Sequence, residues 1–191
     1  MTRADRNMTE TATEPAHAPR TVSESSCVMN EIVLPNDTNN LGNMMGGRLL
    51  HLMDICAAIS AQRHTNRTCV TASVDHVEFH SPIRQGEIVT LRSRVNRAFR
   101  TSMEVEINVW AEDSLRKTVR KCNRAFYTFV AVDEENRPVV IPPIVPESDA
   151  EKRCFDNAAK RREMRLILSG RLKWEDTEHI RDELLSALTE R

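Results

Sequence analysis

The sequence lacks features that would each indicate a particular class of protein. No apolar run approaches the roughly 20 residues that a helix needs to cross a bilayer, and residues 1–20 mix Arg, Asp, Glu and Pro where a secretory signal has an apolar centre. The 27 basic residues are balanced by 28 acidic ones, so no bulk positive field attracts a nucleic acid. We therefore expect a cytoplasmic protein that binds neither nucleic acid nor membrane.

Cysteine and histidine are present without a pattern that indicates a disulfide framework or a metal centre. The five cysteines are scattered and include no CxxC pair, which predicts reduced thiols that mostly fill the core. His76 and His80 are four residues apart, which on a strand puts them on one face but without a third donor. No metal site is expected.

The 191 residues suit one compact domain with flanking segments. Residues 1–26 are rich in Thr, Glu, Ser, Ala and Pro, with almost no large apolar side chains, which predicts a disordered N-terminal arm. Residues 27–146 are predicted to form the folded domain. Residues 147–191 predict a charged helical extension, which begins with the capping-box pair Ser148 and Glu151 and ends in an amphipathic segment containing Ile180, Leu184 and Leu188.

One stretch of the folded domain, residues 42–64, has helical periodicity. An apolar stripe of Leu49, Met53, Cys56 and Ile59 adjoins a second stripe of Leu50, Asp54, Ala57 and Ala61. The helix is therefore apolar over much of its circumference and is predicted to be buried.

Alternating apolar and polar residues predict the strands. A first strand covers residues 27–35, and three long strands lie around residues 89–96, 103–110 and 117–132. Between the helix and the long strands, Val70, Ala72 and Val74 alternate on one face, with a predicted bulge near Asp75 or His76. The pattern predicts an α+β fold in which an antiparallel sheet wraps round one long buried helix.

Asp54 is the residue of this helix that most requires an explanation. A carboxylate between Met53 and Ile55 on an apolar helix is costly to bury unless it is paired or used in chemistry. Two interpretations stay open from the residues alone: a core hydrogen-bond acceptor that specifies packing, or a functional carboxylate.

The stretch PNDTNNLGNMMGGRLLHLMDICAAISAQRH, Pro35–His64, resembles the signature of hotdog-fold acyl-CoA thioesterases of the bacterial broad-range and brain-type group. The resemblance continues through TASVDHVEFHSPIRQGEIV and RTSMEVEINVWAED. It implies the hotdog fold and hydrolysis of acyl-CoA to free coenzyme A and a carboxylic acid. The resemblance implies no metal or redox cofactor. Coenzyme A is part of the substrate and is not a cofactor here.

The resemblance also implies roles for individual residues. Asp54 matches the catalytic carboxylate, which acts as general base or as nucleophile, and Asn39 matches an asparagine that positions the water or the carbonyl. Gly46 and Gly47 match the start of the helix, where backbone N–H groups would stabilise an oxyanion. The alternatives are turn chemistry for Asn39 and a tight turn for the glycines.

The family places its active site between two protomers, so the resemblance implies that Asn39 comes from the partner subunit and that dimers assemble into a trimer of dimers. Coenzyme A carries phosphates that need local positive charge. The candidate contacts are Arg63 with His64 at the helix end, and the turn Arg100, Thr101 and Ser102; each charge is otherwise an ordinary solvated surface group.

Two other functions fit the same fold. One is a non-catalytic acyl-CoA-binding regulator, which the presence of both Asp54 and Asn39 disfavours. The other is a hotdog enoyl-CoA hydratase or dehydratase, which would consume a double bond instead of releasing a thiol.

Overall fold

The computed structural model describes residues 18–75 and 77–180. Two helices and seven strands make up its regular structure. The helices are α1 (Gly46–Thr65) and α2 (Asp149–Leu168). The strands are β1 (Arg20–Thr21), β2 (Cys27–Ile32), β3 (Thr68–Val74), β4 (Ile88–Ala98), β5 (Ser102–Asp113), β6 (Thr118–Val132) and β7 (Ile144–Val145).

A five-stranded antiparallel sheet forms the centre of the molecule, in the order β2-β4-β5-β6-β3. Helix α1 packs on one face against all five strands, and α2 packs on the other face against β4. Strands β1 and β7 form a separate parallel pair. The predicted α+β architecture, an antiparallel sheet around one long helix, is confirmed.

Helix α1 is buried on one side, so the prediction of a buried helix holds only for the side that faces the sheet. Leu49, Met53 and Cys56 are at most 3% exposed and face the sheet, whereas His51 and Ile55 are exposed. The reason is that α1 packs against one sheet, which covers only the side of the helix that faces it. The helix ends at Asn66, whose φ of 52° is the left-handed conformation typical of a helix C-terminus.

Strand β3 contains a bulge, but not where the sequence predicts it. The register against β6 shifts between Thr71 and Ser73, whereas the prediction was Asp75 or His76. A one-residue shift reverses the face that each later side chain occupies. Thr71, which precedes the shift, pairs with the core residue Phe129 and faces α1. As a result of the shift Val74 faces the same side as Thr71, whereas Val70, expected to share a face with Val74, lies on the other side.

The outer face of β5 carries two glutamates that are buried, although their alternation with apolar residues predicts a polar face. Glu104 is 0% exposed and Glu106 is 4% exposed. Arginines of α2 and of the neighbouring strands cover them, since Arg161 Nη2 lies 2.6 Å from Glu104 Oε1 and Arg124 Nε lies 2.8 Å from Glu106 Oε1. Burial of a charge is tolerated when it is paired in this way.

The predicted N-terminal arm is shorter than residues 1–26. Residues 1–17 lie outside the described residues, but residues 20–25 form β1 and the 3₁₀ turn Ser23–Ser25. Val22 is 2% exposed, so this single apolar side chain and the pairing of β1 with β7 attach the segment to the core.

The C-terminal helix is confirmed, together with its capping box: Ser148 Oγ accepts from Glu151 N, and the Glu151 carboxylate accepts from Ser148 N. Of the amphipathic segment, Ile180 is 6% exposed, and residues 181–191, including Leu184 and Leu188, lie outside the described residues. Within the described ranges, neither helix combines the length and apolar character needed to span a bilayer.

Candidate active site

A cavity of about 480 Å³ lies beside the N-terminal half of α1, between this helix, the end of β3 and the segment that follows it. Two of its wall residues, Asp54 and Gly47, belong to the set implied by the family resemblance. The lining residues are Gly47, Leu50, His51, Asp54, Val74, Asp75, Val77 and Tyr127.

Asp54 projects into this cavity in a half-buried position. Its Oδ1 accepts a 2.7 Å hydrogen bond from Thr71 Oγ1 on β3. The expected full burial in an apolar core is wrong, because Asp54 lies on the edge of the packed side of α1. Among residues 18–75 and 77–180, no cation pairs with Asp54, so its carboxylate is held by a neutral donor and reaches open space.

Tyr127 forms the floor of the cavity and is 1% exposed. Burial, and then the negative charge of Asp54, raise the pKa of the Tyr127 phenol to about 12. The phenol therefore keeps its proton at neutral pH. Tyr127 supplies a neutral hydroxyl to the site and cannot act as its base.

Asp75 is the second carboxylate in the cavity wall. Burial raises the pKa of Asp75, and the guanidinium of Arg165, whose Nη1 lies 2.7 Å from Asp75 Oδ2, opposes that increase. The two carboxylates therefore differ: Asp75 is bound to a cation from α2, whereas Asp54 is bound by the Thr71 hydroxyl. Of the two, Asp54 is the one without a cationic partner among the described residues.

The two predicted glycines lie at the first positions of α1, as expected. Gly47 lines the cavity, and no described atom lies within 4 Å of the place where its Cβ would be. A Cβ on Gly46 would lie 3.3 Å from the ring of Phe79, so Gly46 allows that ring to rest on the helix end. The first N–H groups of a helix lack intrahelical acceptors and are available to an anionic group.

Asn39 is exposed in the loop before α1 and does not line the Asp54 cavity of its own chain. Its Oδ1 accepts hydrogen bonds from the backbone N–H of Leu41 at 2.9 Å and of Asn43 at 3.2 Å. Turn chemistry, one of the interpretations left open above, is therefore present. It uses the amide oxygen, and no described residue accepts from the amide nitrogen.

His64 is a correction to the predicted coenzyme A contacts. It is 0% exposed, and its Nε2 lies 2.9 Å from the carbonyl oxygen of Pro142. Burial lowers the pKa of the imidazole, so the ring is neutral and has no surface to offer a phosphate. Its neighbour Arg63 is exposed and donates to the carbonyl of Ser26.

The other predicted contact, the turn between β4 and β5, is accessible. Arg100 is exposed, and Thr101 and Ser102 are partly exposed. Ser102 also lines a second cavity of about 630 Å³, whose walls include Arg162 and Arg165 of α2. The structure does not bring this turn or Arg63 to the Asp54 cavity, and their contact with coenzyme A stays a prediction.

Thr71, His51 and Tyr127 are site residues that the sequence interpretation missed. His51 precedes Asp54 by three residues, which puts both on one helix face, so the helical spacing contained that signal. Alternation did not identify Thr71, because it assigns Val70 and Ala72 to the apolar face, and Thr71 lies on the opposite face, toward α1. Tyr127 lies far away in sequence and reaches the cavity only through the pairing of β6 with β3.

Known proteins resemble this chain in sequence. A model of the thioesterase superfamily matches residues 41–117. The chain is 39% identical over 145 residues to acyl-coenzyme A thioesterase 11 of Mus musculus, covering 76% of this chain and 24% of that protein. It is 39% identical over 142 residues to an uncharacterized acyl-CoA thioester hydrolase of Bacillus subtilis, YkhA, covering 74% and 83%. The chain belongs to the acyl-CoA thioester hydrolase family of the thioesterase superfamily.

Solved structures of this family share the fold. Acyl-CoA hydrolase from Bacillus cereus has a TM-score of 0.76 at 38% identity, covering 80% of this chain and 93% of that one. The Staphylococcus aureus enzyme with butyryl coenzyme A, coenzyme A and coenzyme A disulfide has a TM-score of 0.72 at 37% identity, covering 79% and 94%. A hexameric acyl-CoA thioesterase without ligand has a TM-score of 0.76 at 36% identity, covering 78% and 97%.

Some relatives are much longer than this chain, and one relative has also been solved with single alanine substitutions. This chain spans 24% of the mouse thioesterase 11 and 38% of the rat cytosolic acyl coenzyme A thioester hydrolase. Three further structures of the Staphylococcus aureus enzyme each have alanine in place of one residue: an aspartate, an asparagine or a threonine.

Proposed function

We propose that this protein is an acyl-CoA thioesterase, which hydrolyses acyl-CoA to free coenzyme A and a carboxylic acid. The observation that carries the proposal is the carboxylate of Asp54, held by Thr71 in an open cavity at the start of α1. A carboxylate, a helix N-terminus and a concave surface together are the parts that acyl transfer to water requires.

In the proposed reaction Asp54 acts as general base. It takes a proton from water while the oxygen of that water forms a bond to the thioester carbonyl carbon, and the carbonyl oxygen becomes an oxyanion. Backbone N–H groups at Gly47 would stabilise this oxyanion, a contribution of about 3 kcal/mol per donor. Collapse of the intermediate breaks the carbon–sulfur bond, and the coenzyme A thiolate receives the proton from Asp54.

A nucleophilic role for Asp54 also fits the same geometry. Its carboxylate oxygen would then attack the carbonyl carbon and expel the thiolate, giving a mixed anhydride that water hydrolyses. Incorporation of ¹⁸O from labelled water into the Asp54 carboxylate during a single turnover would identify this route, with water attacking the Asp54 carbonyl of the anhydride. Attack at the acyl carbonyl puts the label in the released acid, as general-base catalysis does.

The spacing of three residues supports the assignment of Asp54, Asn39 and Thr71. In the Staphylococcus aureus enzyme, the asparagine, aspartate and threonine chosen for alanine substitution are separated by 15 and 17 residues. Asn39, Asp54 and Thr71 have the same two separations here. Thr71 therefore joins the proposed site as the residue that positions the carboxylate of Asp54.

We further propose that the complete site lies between two copies of the chain, with Asn39 of the partner subunit facing Asp54. The exposed position of Asn39 outside its own chain's cavity supports this arrangement. Strand β3 is a sheet edge whose Val70 and Val74 are 44% and 43% exposed, and pairing with a second copy would cover them. The hexameric relative supports further assembly into a trimer of dimers.

Coenzyme A recognition by Arg63 and by the turn Arg100, Thr101 and Ser102 is part of the proposal, and it is supported by their accessibility alone. The phosphates of coenzyme A would bind these cations and hydroxyls. No metal or redox cofactor enters the proposed reaction, and the cytoplasmic location expected from the sequence is kept as part of the proposal.

The first experiment measures thiol release from acyl-CoA substrates of several chain lengths with a chromogenic thiol reagent. Thiol release that depends on Asp54 supports the thioesterase. Binding of acyl-CoA with no release would instead indicate the non-catalytic regulator, and loss of the double bond of crotonyl-CoA would indicate a hydratase.

A second experiment tests the shared site by complementation. Asn39→Ala and Asp54→Ala chains, each inactive alone, are mixed so that subunits exchange. A mixed dimer has one site with both residues intact, so random exchange should restore about a quarter of the wild-type activity. Failure to restore activity, when subunit exchange is verified by mass spectrometry, would show that both residues act within one chain or not at all.

A further inference from the structure

Helix α2 supplies a cation that binds one wall residue of the Asp54 cavity, although the helix lies outside residues 41–117 that the superfamily model matches. The residue is Arg165, near the end of α2. Its Nη1 lies 2.7 Å from Asp75 Oδ2 and 3.5 Å from Glu104 Oε2. One guanidinium therefore joins the cavity wall to the buried glutamate on the outer face of the sheet.

Glu104 fixes the position of Arg165. It is 0% exposed and also receives Arg161, whose Nε and Nη2 lie 3.1 Å and 2.6 Å from its two carboxylate oxygens. Arg161 is held in addition by the ring of Phe126, 3.7 Å from its guanidinium carbon. Because two arginines share one buried carboxylate, Arg165 has positive charge left to neutralise Asp75.

Asp75 needs that neutralisation because of where it lies. It follows β3 directly, its backbone N–H donates to the carbonyl of Phe126, and its carboxylate lines the same cavity as Asp54. An unpaired negative charge at this wall would oppose the oxyanion that forms in thioester hydrolysis. It would also release the segment that carries Val77, another wall residue.

On the basis of the thioesterase function proposed above, we propose that Arg165 is a positioning residue of the active site: by binding Asp75 it neutralises and orients the second carboxylate of the cavity. Arg165 does not touch the substrate in this account. It acts through Asp75, so α2 supports the active site although it does not line the cavity.

The test uses Arg165→Met with Arg161→Met as its matched control. Both arginines lie on α2 and bind Glu104, and only Arg165 binds Asp75. We expect Arg161→Met to lose at least as much stability as Arg165→Met and to keep kcat within about twofold of the wild type. Arg165→Met should lose about tenfold in kcat, with KM changed less than threefold.

Rescue by a second substitution separates this role from a structural one. Asp75→Asn combined with Arg165→Met removes the uncompensated charge, so the double variant should recover at least threefold in kcat over Arg165→Met. The inference is overturned if the double variant recovers nothing, or if Arg161→Met and Arg165→Met lose the same activity. A wild-type protein that hydrolyses no acyl-CoA would be a different result, which removes the proposed function itself and this inference with it.

Discussion

Thr71 Oγ1 donates a 2.7 Å hydrogen bond to Asp54 Oδ1, from strand β3 to helix α1. Thr71 lies just before the bulge of β3, pairs with Phe129 of β6 and faces the helix side of the sheet. It holds one carboxylate oxygen of Asp54, whose side chain lines the cavity. The catalytic proposal depends on this relationship.

Thr71→Val should lower kcat by about tenfold with little change in KM, since a hydrogen bond to a charged group contributes about 1.5–3 kcal/mol. Steady-state kinetics of thiol release measure the effect. The matched control is Thr90→Val, because the Thr90 hydroxyl donates a 2.8 Å hydrogen bond to Asn30 between β4 and β2, away from the cavity. Equal losses in the two variants would contradict the assignment of Thr71.

Gly47→Ala should separate stability from activity. No described atom lies within 4 Å of the new Cβ, and alanine favours a helix over glycine by up to about 1 kcal/mol, so the free energy of unfolding should stay equal or rise. The methyl group enters the cavity where the oxyanion is expected, so kcat should fall at least tenfold. Chemical denaturation and kinetics on the same sample check both effects.

Gly46→Ala is the comparison for that variant. Its Cβ would lie 3.3 Å from the Phe79 ring, so the ring has to move and stability should fall. If Gly47→Ala kept full activity, the proposed approach of the substrate to the start of α1 would be wrong.

His64 predicts a pH dependence of stability. Burial lowers the pKa of His64 below its ordinary value of 6.5. Above pH 6.5 the imidazole is neutral in both states and its contribution is fully present. Below it the unfolded chain binds a proton before the folded chain does, so stability falls as the pH decreases through the folded pKa.

Urea unfolding of the wild type and of His64→Gln at about pH 7.5 and 5.5 measures this contribution. The loss of stability between the two pH values should be smaller in His64→Gln than in the wild type. His51→Gln, on the exposed side of the same helix, should keep the wild-type loss. An unchanged loss in His64→Gln would show that another group causes the acid sensitivity.

The ion pair of Arg120 with Glu87, in the loop that precedes β4, is expected to contribute to the free energy of unfolding. Arg120 Nη1 and Nη2 lie 2.8 Å and 2.6 Å from the two carboxylate oxygens of Glu87, which is 6% exposed, and the pair holds the pKa of Glu87 below its ordinary range. Arg120→Met leaves a nearly buried carboxylate unpaired and should cost about 2 kcal/mol of unfolding free energy.

The control for Arg120 is Arg116→Met, which removes an ion pair with Asp113 in an exposed turn. That change should cost less unfolding free energy than Arg120→Met, because exposed ion pairs contribute little. Denaturant titrations at pH 7 compare the two variants, and equal costs would contradict the importance of the Glu87 pair.

Local patterns predicted much of the fold. Alternation gave β2, β4, β5 and β6, because each lies in an antiparallel sheet with one face on the core. The capping residues Ser148 and Glu151 placed the start of α2. The patterns failed where long-range contacts determine the local structure. The bulge in β3 depends on pairing with β6, and the burial of Glu104 depends on arginines of α2 about 60 residues away.

The site was predictable only in part for the same reason. Asp54 and the two glycines belong to one continuous stretch, so spacing and resemblance were sufficient to find them. Thr71 and Asp75 reach Asp54 through the topology of the sheet, and Tyr127 through strand pairing. His64 shows the opposite error: its position at a helix end predicted a surface charge, and packing against Pro142 buried it.

The most direct test of the account measures thiol release from acyl-CoA by the wild type and by Asp54→Asn, which keeps the size of the side chain and removes its charge. Loss of the base should lower kcat by at least about a hundredfold, while urea unfolding and coenzyme A binding stay close to those of the wild type. Equal thiol release by the two proteins would contradict the claim that Asp54 performs the hydrolysis.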